Sequence, residues 1–413
     1  MEIQLTPSMA VFKISEKAEK SLRAGHPWVF AEEVRAVEGE YENGALVQVR
    51  SMKGRFLGTG FVCEQSKIRV RVISTNANDR FDEAFWARRI KYAIDYRRTV
   101  MASDADFACC RLIFGEADSF PGLTVDRFGP VIVTQCLSRG IEGIKPMLYR
   151  LLIADLRARG ERIDVLYERN DVKIRELEGL EQYTGFWAGD GLLTDTDGTV
   201  EIVENGVRYT VDYFTGQKTG FFLDQKYNRA AVARLARGRR VLDCFTHTGA
   251  FALNAAAGGA AHVTAVDVSQ HAIDCARANA ERNGLTERMD FLCADVFALL
   301  TEMGERKSCD YDMIILDPPA FTKSRDTVKS AIRGYREINR RAMQLLPRGG
   351  YLATCSCSHF MRDDYFRAML REAAADAQVT LRQIEARQQS PDHPILPTVP
   401  ETDYLKFYTF QVV

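Results

Sequence analysis

One stretch near the middle of the chain combines residues that could hold a nucleotide. Residues 241–269 read VLDCFTHTGAFALNAAAGGAAHVTAVDVS: an apolar run, a turn rich in Thr and Gly, a small-residue helix, and a second apolar run that ends in Asp267. This order predicts strand, loop, helix and strand, with Ser269 placed to cap the next helix. An acid at the carboxyl end of such a second strand usually accepts hydrogen bonds from ribose hydroxyls. The alternative is an ordinary α/β turn with an incidental aspartate.

The loop from Asp243 to Gly249 indicates which nucleotide would be held. It contains a single glycine, whereas a dinucleotide site uses G-x-G-x-x-G so that the backbone can approach a pyrophosphate at a helix N-terminus. A pyrophosphate is therefore disfavoured. S-adenosylmethionine carries no phosphate and needs one close backbone approach and a carboxylate for its ribose. At this point the residues resemble those of class I methyltransferases.

The sequence DPPAF at residues 317–321 could contact a flat ring. Its two prolines remove two backbone donors and stiffen the turn, which leaves the carboxylate of Asp317 and free carbonyls facing the methyl donor. Phe321 could stack on a base that has left its helix. A proline turn with a core phenylalanine is the alternative. The motif alone leaves the methylated atom open, because enzymes that methylate amino groups use similar sequences.

Cys355 and Cys357, at the end of the following strand, favour carbon as that atom. Cytosine C5 is a poor nucleophile, so its methylation requires a thiolate to add first at C6. Asp317 is the natural carboxylate to accompany this addition with protonation at N3. The alternative for either cysteine is a small buried hydrophobic side chain. Because the two lie two residues apart, an extended strand points both the same way, and spacing does not choose between them.

The composition is that of a globular protein of several domains. A length of 413 residues suits two or three domains, and a net charge of −1 gives no global sign of a polyanionic partner. The absence of a long apolar run and of a signal-like N-terminus predicts a cytoplasmic protein with no membrane contact. The ten cysteines are scattered without a C-x-x-C pair, so neither a disulfide framework nor a metal site is expected.

The elements that must position these residues alternate regularly. Strands are predicted at 241–244 and 263–266 and then, further along the chain, at 289–293, 313–316, 351–354, 380–384 and 407–412. Seven strands in this order match the class I methyltransferase sheet. Asp267 and Asp295 then lie at successive carboxyl edges where an adenosine would sit, with Asp295 near the adenine amino group. Residues 215–229, TGQKTGFFLDQKYNR, read as a loop over a ligand that starts a helix, or as a plain capped helix entry.

Residues 1–75 read as a small β domain. GHPWVF at 25–30 and KIRVRVI at 67–73 are predicted strands separated by glycine turns. In the second strand three basic residues alternate with apolar ones, so one face could meet phosphates or be an ordinary solvated surface. The order of GHPWVF, the run at 44–49, FLGTGF and KIRVRV resembles a PUA domain, an RNA-binding pseudo-barrel.

Along its whole length the chain resembles the class I S-adenosylmethionine-dependent 23S rRNA (cytosine-5) methyltransferases with an N-terminal PUA domain. GHPWVF, GEADSFPGLTVDRFG, TGQKTGFFLDQ, DCFTHTGAF, LDPPAF and TCSCS occur in the family's order. The resemblance implies an α/β protein: a PUA-like RNA-binding domain at 1–75, a small α/β middle domain at 76–200, and a seven-stranded Rossmann-like methyltransferase domain at 201–413. It implies S-adenosylmethionine as cofactor and large-subunit ribosomal RNA as partner, with a homodimer as a candidate state.

The resemblance also assigns roles to residues. The family's S-C-S motif maps onto residues 356–358, which makes Cys357 the nucleophile beside Asp317, and Cys355 a bystander. Residues 319–320 are Pro and Ala where the wider RNA cytosine-5 group has a cysteine, so the resolution of the adduct is open. The expected cofactor residues are Asp243, Phe245, Thr246, Gly249, Asp267, Val268, Asp295, Val296 and Asp317.

The helix after DPPAF adds a candidate substrate surface. At about 100° per residue, four basic side chains share one stripe, which could bind RNA phosphates or be a solvated face. The stripe comprises Lys329, Arg333, Arg336 and Arg340. Together with the DPPAF turn, the expected substrate residues are Pro318, Pro319, Phe321, Lys329, Arg333 and Arg336.

Three functions stay open. RNA cytosine-5 methylation leads, N-methylation of a purine through DPPAF without the cysteine follows, and a non-catalytic RNA-binding protein that has kept the fold is third. Product analysis separates the first two, and S-adenosylmethionine binding tests the third.

Overall fold

The chain folds into two compact units that are each assembled from separate segments. The computed structural model describes residues 9–306, 310–322 and 324–413. The first unit consists of Met1–Ile202, described from Met9 onward, with Val211–Leu223 and Pro391–Thr402. The second consists of Val203–Thr210, Asp224–Ser390 and Asp403–Val413. The three domain boundaries given above stay predictions.

A six-stranded sheet begins the first unit and contains the predicted N-terminal strands. Its order is β2-β6-β5-β4-β1-β3, with all neighbours antiparallel except β1 and β4. The side chain of Ser15 caps the single helix by accepting a hydrogen bond from the backbone of Ala18. The elements are β1 (Val11–Ile14), α1 (Glu16–Arg23), β2 (Trp28–Phe30), β3 (Val34–Glu38), β4 (Leu46–Ser51), β5 (Phe56–Val62) and β6 (Ile68–Ser74).

The basic face predicted for β6 is in part an internal ion-pair site. The Arg71 guanidinium donates to the Glu178 carboxylate at 2.7 Å and approaches Glu116 at 3.4 Å, and the arginine side chain is only 12% exposed. Trp28 Nε1 also donates to Glu116, at 3.0 Å. Arg71 is therefore neutralised within the first unit and faces neither solvent nor an RNA phosphate.

A five-stranded sheet completes the first unit. Its order is β11-β10-β9-β8-β7, and only β9 and β10 are parallel, because the helix α4 crosses over between them. The elements are α2 (Glu83–Val100), α3 (Asp104–Phe107), β7 (Cys109–Phe114), β8 (Leu123–Phe128), β9 (Val131–Cys136), α4 (Arg139–Ala158), β10 (Val165–Asn170) and β11 (Tyr183–Phe186). The hairpin strands β12 (Thr199–Glu204) and β13 (Val207–Asp212) follow, with positive φ at Asn205 and Gly206 in the turn.

The second unit contains the predicted seven-stranded sheet, in the order β16-β15-β14-β17-β18-β20-β19. The first five of these strands are parallel, and β20 runs antiparallel to both of its neighbours. The strands are β14 (Arg240–Cys244), β15 (His262–Asp267), β16 (Met289–Cys293), β17 (Met313–Leu316), β18 (Tyr351–Ser356), β19 (Leu381–Arg387) and β20 (Lys406–Val412). This is the Rossmann-like α/β fold expected from the sequence.

Helices connect these strands and cover the sheet. They are α5 (Lys226–Ala236), α6 (Ala250–Ala257), α7 (Gln270–Arg282), α8 (Val296–Arg306), α9 (Val328–Leu345) and α10 (Asp363–Ala377). All four residues of β17, MIIL, are buried, as is typical of a parallel strand packed on both faces. The strand order reverses between β14 and β17, so a ligand crevice is expected outside their carboxyl ends. Of the helices that the structure describes, none is both long and apolar enough to span a bilayer.

Candidate active site

The loop that leaves β14 is fixed by the buried side chain of Asp243. Its Oδ2 accepts hydrogen bonds from Thr246 Oγ1 at 2.6 Å and from the backbone N–H of Ala252 at 2.9 Å. Burial raises the pKa of Asp243 to about 7. Its Oδ1 is buried and has no hydrogen-bond partner among the described residues. One oxygen therefore shapes the loop, and the other is left for a donor that the described residues do not provide.

The backbone of this loop is left-handed at two residues that are not glycine. Phe245 has φ of 65° and His247 has φ of 51°. Each such residue costs on the order of 1–2 kcal/mol, and strained residues of this kind cluster at ligand sites. Gly249 has φ of 86°, and a Cβ there would lie 3.0 Å from that of Ala276. The single glycine thus serves a tight approach to α7.

The carboxylate of Asp267 is held in a defined orientation at the end of β15. Oδ2 accepts from the backbone N–H of His247 at 2.9 Å, and Oδ1 accepts from that of Ser269 at 3.0 Å. Each oxygen keeps a further lone pair. The neighbouring Val268 side chain is 72% exposed, which is unusual for an apolar residue beside a buried strand. An oriented acid next to an exposed apolar surface suits a ribose with an attached base.

Asp295 and Val296, which lie shortly after β16, differ in their exposure. Asp295 caps α8, since its Oδ1 accepts from the backbone N–H of Ala298 at 2.8 Å. Val296 is buried and belongs to the core cluster between the sheet and its helices. The Val296 side chain packs inward, so a cofactor contact by this residue would be made through its backbone, and this contact stays a prediction.

Asp317, at the end of β17, is a desolvated carboxyl group with two side-chain donors. Its Oδ1 accepts from Gln225 Nε2 at 3.1 Å, and the Cys355 thiol also hydrogen-bonds to it. Burial, assisted by the charge of Asp224, raises the pKa of Asp317 to about 7. At neutral pH this group can therefore either donate or accept a proton.

In the DPPAF turn, the Phe321 side chain packs against other aromatic rings of the protein. The Phe321 ring lies 4.6 Å from that of Tyr335 and 6.1 Å from that of Phe297, and it packs against the core cluster. These contacts favour the alternative, a core phenylalanine, and stacking of this partly buried ring on a base stays a prediction. Pro318 is buried and Pro319 is exposed, so the second proline is the accessible one.

The two cysteines differ in burial although their spacing makes them equivalent in an ideal strand. Cys355 lies inside β18 and is 0% exposed, and burial raises its thiol pKa well above the usual value. Cys357 lies just past the end of β18 and is partly exposed. The hydroxyl of Tyr335 contacts Ser356 Oγ at 3.1 Å and Ser358 Oγ at 3.3 Å, which anchors the residues on either side of Cys357. Cys309 lies outside the described residues.

The basic stripe of α9 divides into two parts. Arg336 pairs with Asp376 at 2.7 Å and Glu372 at 3.0 Å, both on α10, and Arg340 pairs with Glu337 on its own helix at 2.8 Å. Arg336 thus has carboxylate partners on the protein, and its assignment to the substrate stays a prediction. Lys329 and Arg333 are exposed, and neither has an ion pair within the described part of the chain.

Two buried polar residues at the site, Gln225 and Lys406, were not assigned a role from the sequence. Gln225 reaches Asp317 and is itself held by Asn228, whose Nδ2 donates to Gln225 Oε1 at 2.7 Å. The Asp-Gln pair in TGFFLDQ was the signal for it. Lys406 Nζ donates to the Ser358 carbonyl at 2.7 Å. No local pattern pointed to this lysine, since it arrives on β20 from far along the chain.

Comparisons with known proteins show which family the chain belongs to. Residues 171–410 match the S-adenosylmethionine-dependent methyltransferase family, and residues 12–75 match the PUA-like domain. Ribosomal RNA large subunit methyltransferase I of Photobacterium profundum is 41% identical over 396 residues, covering 95% of this chain and 97% of the relative. The protein of that name from Aliivibrio fischeri is 39% identical over 401 residues, covering 97% and 98%.

Solved structures show the same fold over nearly the whole chain. A SAM-dependent methyltransferase from Streptococcus mutans superposes with a TM-score of 0.80 at 23% identity, covering 98% of this chain and all of the other. A methyltransferase complexed with SAH gives a TM-score of 0.82 at the same identity and coverage.

The strand order of the second unit and the similarity to solved methyltransferase structures define a methyltransferase fold. The chain belongs to the S-adenosylmethionine-dependent methyltransferase family and carries a PUA-like domain at its N-terminal end. Its cofactor is S-adenosylmethionine.

Proposed function

We propose that the protein methylates C5 of a cytosine in large-subunit ribosomal RNA through a covalent bond between Cys357 and C6. The relatives that match the chain from end to end are named for large-subunit ribosomal RNA. The observation that carries the atom specificity is the pairing of β17 with β18. Because these strands are parallel neighbours, their carboxyl ends bring a desolvated acid, Asp317, and a partly exposed thiol, Cys357, to the same edge of the sheet.

The residues around β14 and β15 fit S-adenosylmethionine. The buried Oδ1 of Asp243 has no partner among the described residues, and the ammonium group of an amino-acid moiety would supply one. Asp267 offers free lone pairs on two oriented oxygens to the ribose hydroxyls. When bound, the cofactor supplies an electrophilic methyl group on a sulfonium centre.

The chain's own residues would act in sequence on the base. The Cys357 thiolate forms a bond to C6 while the protonated Asp317 carboxyl donates its proton to N3, which leaves C5 electron-rich. After C5 has taken the methyl group, solvent water accepts the C5 proton, the bond between Cys357 Sγ and C6 breaks with its electron pair on sulfur, and N3 returns its proton to the Asp317 carboxylate. A pKa of about 7 allows Asp317 to give and regain this proton near neutral pH.

Separate replacement of Cys357 and of the buried Cys355 tests which of the two is the nucleophile. Cys357→Ala is expected to abolish methyl transfer and to leave S-adenosylmethionine binding intact, whereas the matched control Cys355→Ala retains activity. On RNA that contains 5-fluorocytosine, the wild type and Cys355→Ala form an adduct that survives denaturation, because fluorine is not eliminated from C5 as a proton is. Cys357→Ala forms none. Cytosine methylation by Cys357→Ala, or a methylated purine as the product, would overturn the proposal.

A further inference from the structure

Lys406 places a buried ammonium group beside the residues that hold Cys357. It is the first residue of β20 and pairs in register with Ser356, the last residue of β18. Its side chain is 4% exposed, and Nζ donates to the carbonyls of Ser358 at 2.7 Å and Tyr404 at 2.8 Å. Both acceptors are backbone carbonyls, and no carboxylate among the described residues accepts a hydrogen bond from Nζ. An ammonium group has three donors, so two carbonyls leave one donor unused.

The charges that face this ammonium group are few. Burial lowers the pKa of Lys406 to about 8, and the groups that counteract this are Asp403, Cys357 and Asp363. The two aspartates are partly or fully exposed, so water screens them, and Asp363 also accepts a hydrogen bond from the hydroxyl of Tyr408. Cys357 follows directly on β18 in the sequence and precedes Ser358, whose carbonyl accepts the hydrogen bond from Lys406.

We propose that Lys406 is a positioning residue whose ammonium group holds Cys357 as the thiolate. The proposal rests on the function proposed above, in which Cys357 is the nucleophile. In the step that it assigns, the S–H bond of Cys357 breaks and its proton passes to solvent water, and the thiolate that remains is stabilised by the positive charge of the Lys406 ammonium group. The same ammonium would stabilise the thiolate as it leaves C6 after methyl transfer.

A positive charge beside a thiol favours its ionisation because it stabilises the thiolate. A free thiol has a pKa of about 8.5 and is only a few per cent thiolate at neutral pH. The pKa of Lys406, about 8, leaves this lysine mostly protonated at neutral pH. Its positive charge is held beside residues 356–358 by the pairing of β20 with β18 and by the hydrogen bond to the Ser358 carbonyl.

Thiol alkylation measured against pH tests the inference without RNA or cofactor. The wild type, Lys406→Met and Lys406→Arg are treated with iodoacetamide between pH 6 and pH 10, and alkylation of the peptide with Cys357 is quantified by mass spectrometry. Lys406→Met is expected to react about tenfold more slowly at pH 7, with the pH midpoint raised by about one unit. Lys406→Arg keeps a positive charge and is expected to stay nearer to the wild type. The exposed Cys293 is the internal control and should not change.

The outcomes separate this inference from the proposed function. An unchanged alkylation profile in Lys406→Met overturns the role of Lys406 and leaves Cys357 as nucleophile untouched. Methyl transfer by Cys357→Ala overturns the proposed function, whatever the alkylation profile shows. Loss of the fold in Lys406→Met would appear as alkylation of the buried Cys355, and Lys406→Gln, with its smaller and polar side chain, is then compared with Lys406→Arg in the same way.

Discussion

Asp267 is the residue whose replacement should weaken cofactor binding most directly. Asp267→Ala removes an acceptor that two backbone N–H groups already orient, and the loss of charge-assisted hydrogen bonds costs about 1.5–3 kcal/mol. Calorimetry should show a dissociation constant for S-adenosylmethionine raised by roughly 10- to 150-fold. Asp290→Ala, an exposed acid on the adjacent strand β16 that pairs with His262, is the control. Equal affinities for the two variants would contradict the assignment.

Asp317 should make stability depend on pH. Because its folded pKa of about 7 lies above the ordinary value of 3.8, the folded state binds more protons between these values, and this group lowers the free energy of unfolding as pH rises. Asp317→Asn lacks the effect, so its stability relative to the wild type should increase from pH 4 to pH 7, by at most about 1.4 kcal/mol per unit, and then level off. Urea unfolding at pH 5 and pH 8 measures it. A difference that does not vary with pH would exclude an elevated pKa.

Asp267 and Asp317 could be proposed as site residues from the sequence because each lies in a motif at the carboxyl end of a predicted strand. The sequence could not predict Lys406, because the contact of this lysine depends on the antiparallel pairing of β20 with β18, two strands that are distant in the sequence. For Phe321 the sequence predicted stacking on a base, which stays a prediction, and it did not predict the ring contacts with Tyr335 and Phe297. A phenylalanine in this turn could pack against the protein core or stack on a base, and the sequence alone does not decide between these two apolar partners.

At the scale of elements, α9 offers a direct test of RNA binding. Lys329→Ala with Arg333→Ala should weaken RNA binding and reduce the slope of log affinity against log salt by roughly 1.4 to 1.8, because two unpaired cations are lost. Arg336→Ala with Arg340→Ala removes the same charge from the same helix but from side chains already paired with carboxylates. This control should change the slope much less. Equal slopes for both double variants would mean that α9 does not contact RNA.

Periodicity predicted this helix and its basic stripe. It could not predict which basic residues of the stripe have carboxylate partners and which have none. The division depends on Glu372 and Asp376, which belong to the separate helix α10 and reach Arg336 only through tertiary packing. In the same way, the alternation in β6 predicted a strand with a basic face, and the partners of Arg71 became visible only once β6 was placed beside the segment that contains Glu178. Local pattern fixes an element's type and faces, and tertiary packing decides what each face meets.

For the molecule as a whole, the packing of the first unit gives a stability test with a matched control. A Cβ at Gly140, on α4, would lie 2.1 Å from Cγ of Phe61 on β5, whereas a Cβ at Gly143 on the same helix would meet nothing within 4 Å. Gly140→Ala should lower the free energy of unfolding by about 1–3 kcal/mol through overpacking. Gly143→Ala should raise it by up to about 1 kcal/mol through helix propensity. Similar midpoints for the two variants in urea would show that α4 does not pack on β5.

Each of the two units is built from separate segments of the chain, and this determines when each unit can complete its folding during synthesis. The C-terminal stretch of the chain contains Pro391–Thr402 of the first unit and Asp403–Val413 of the second. A chain that stops at Ser390 lacks the Asp392 carbonyl that receives the buried guanidinium of Arg97. It also lacks β20, so β19 has no strand to pair with. Neither unit can therefore reach its final packing until residues 391–413 have left the ribosome, and a truncation after Ser390 would remove packing contacts from both units.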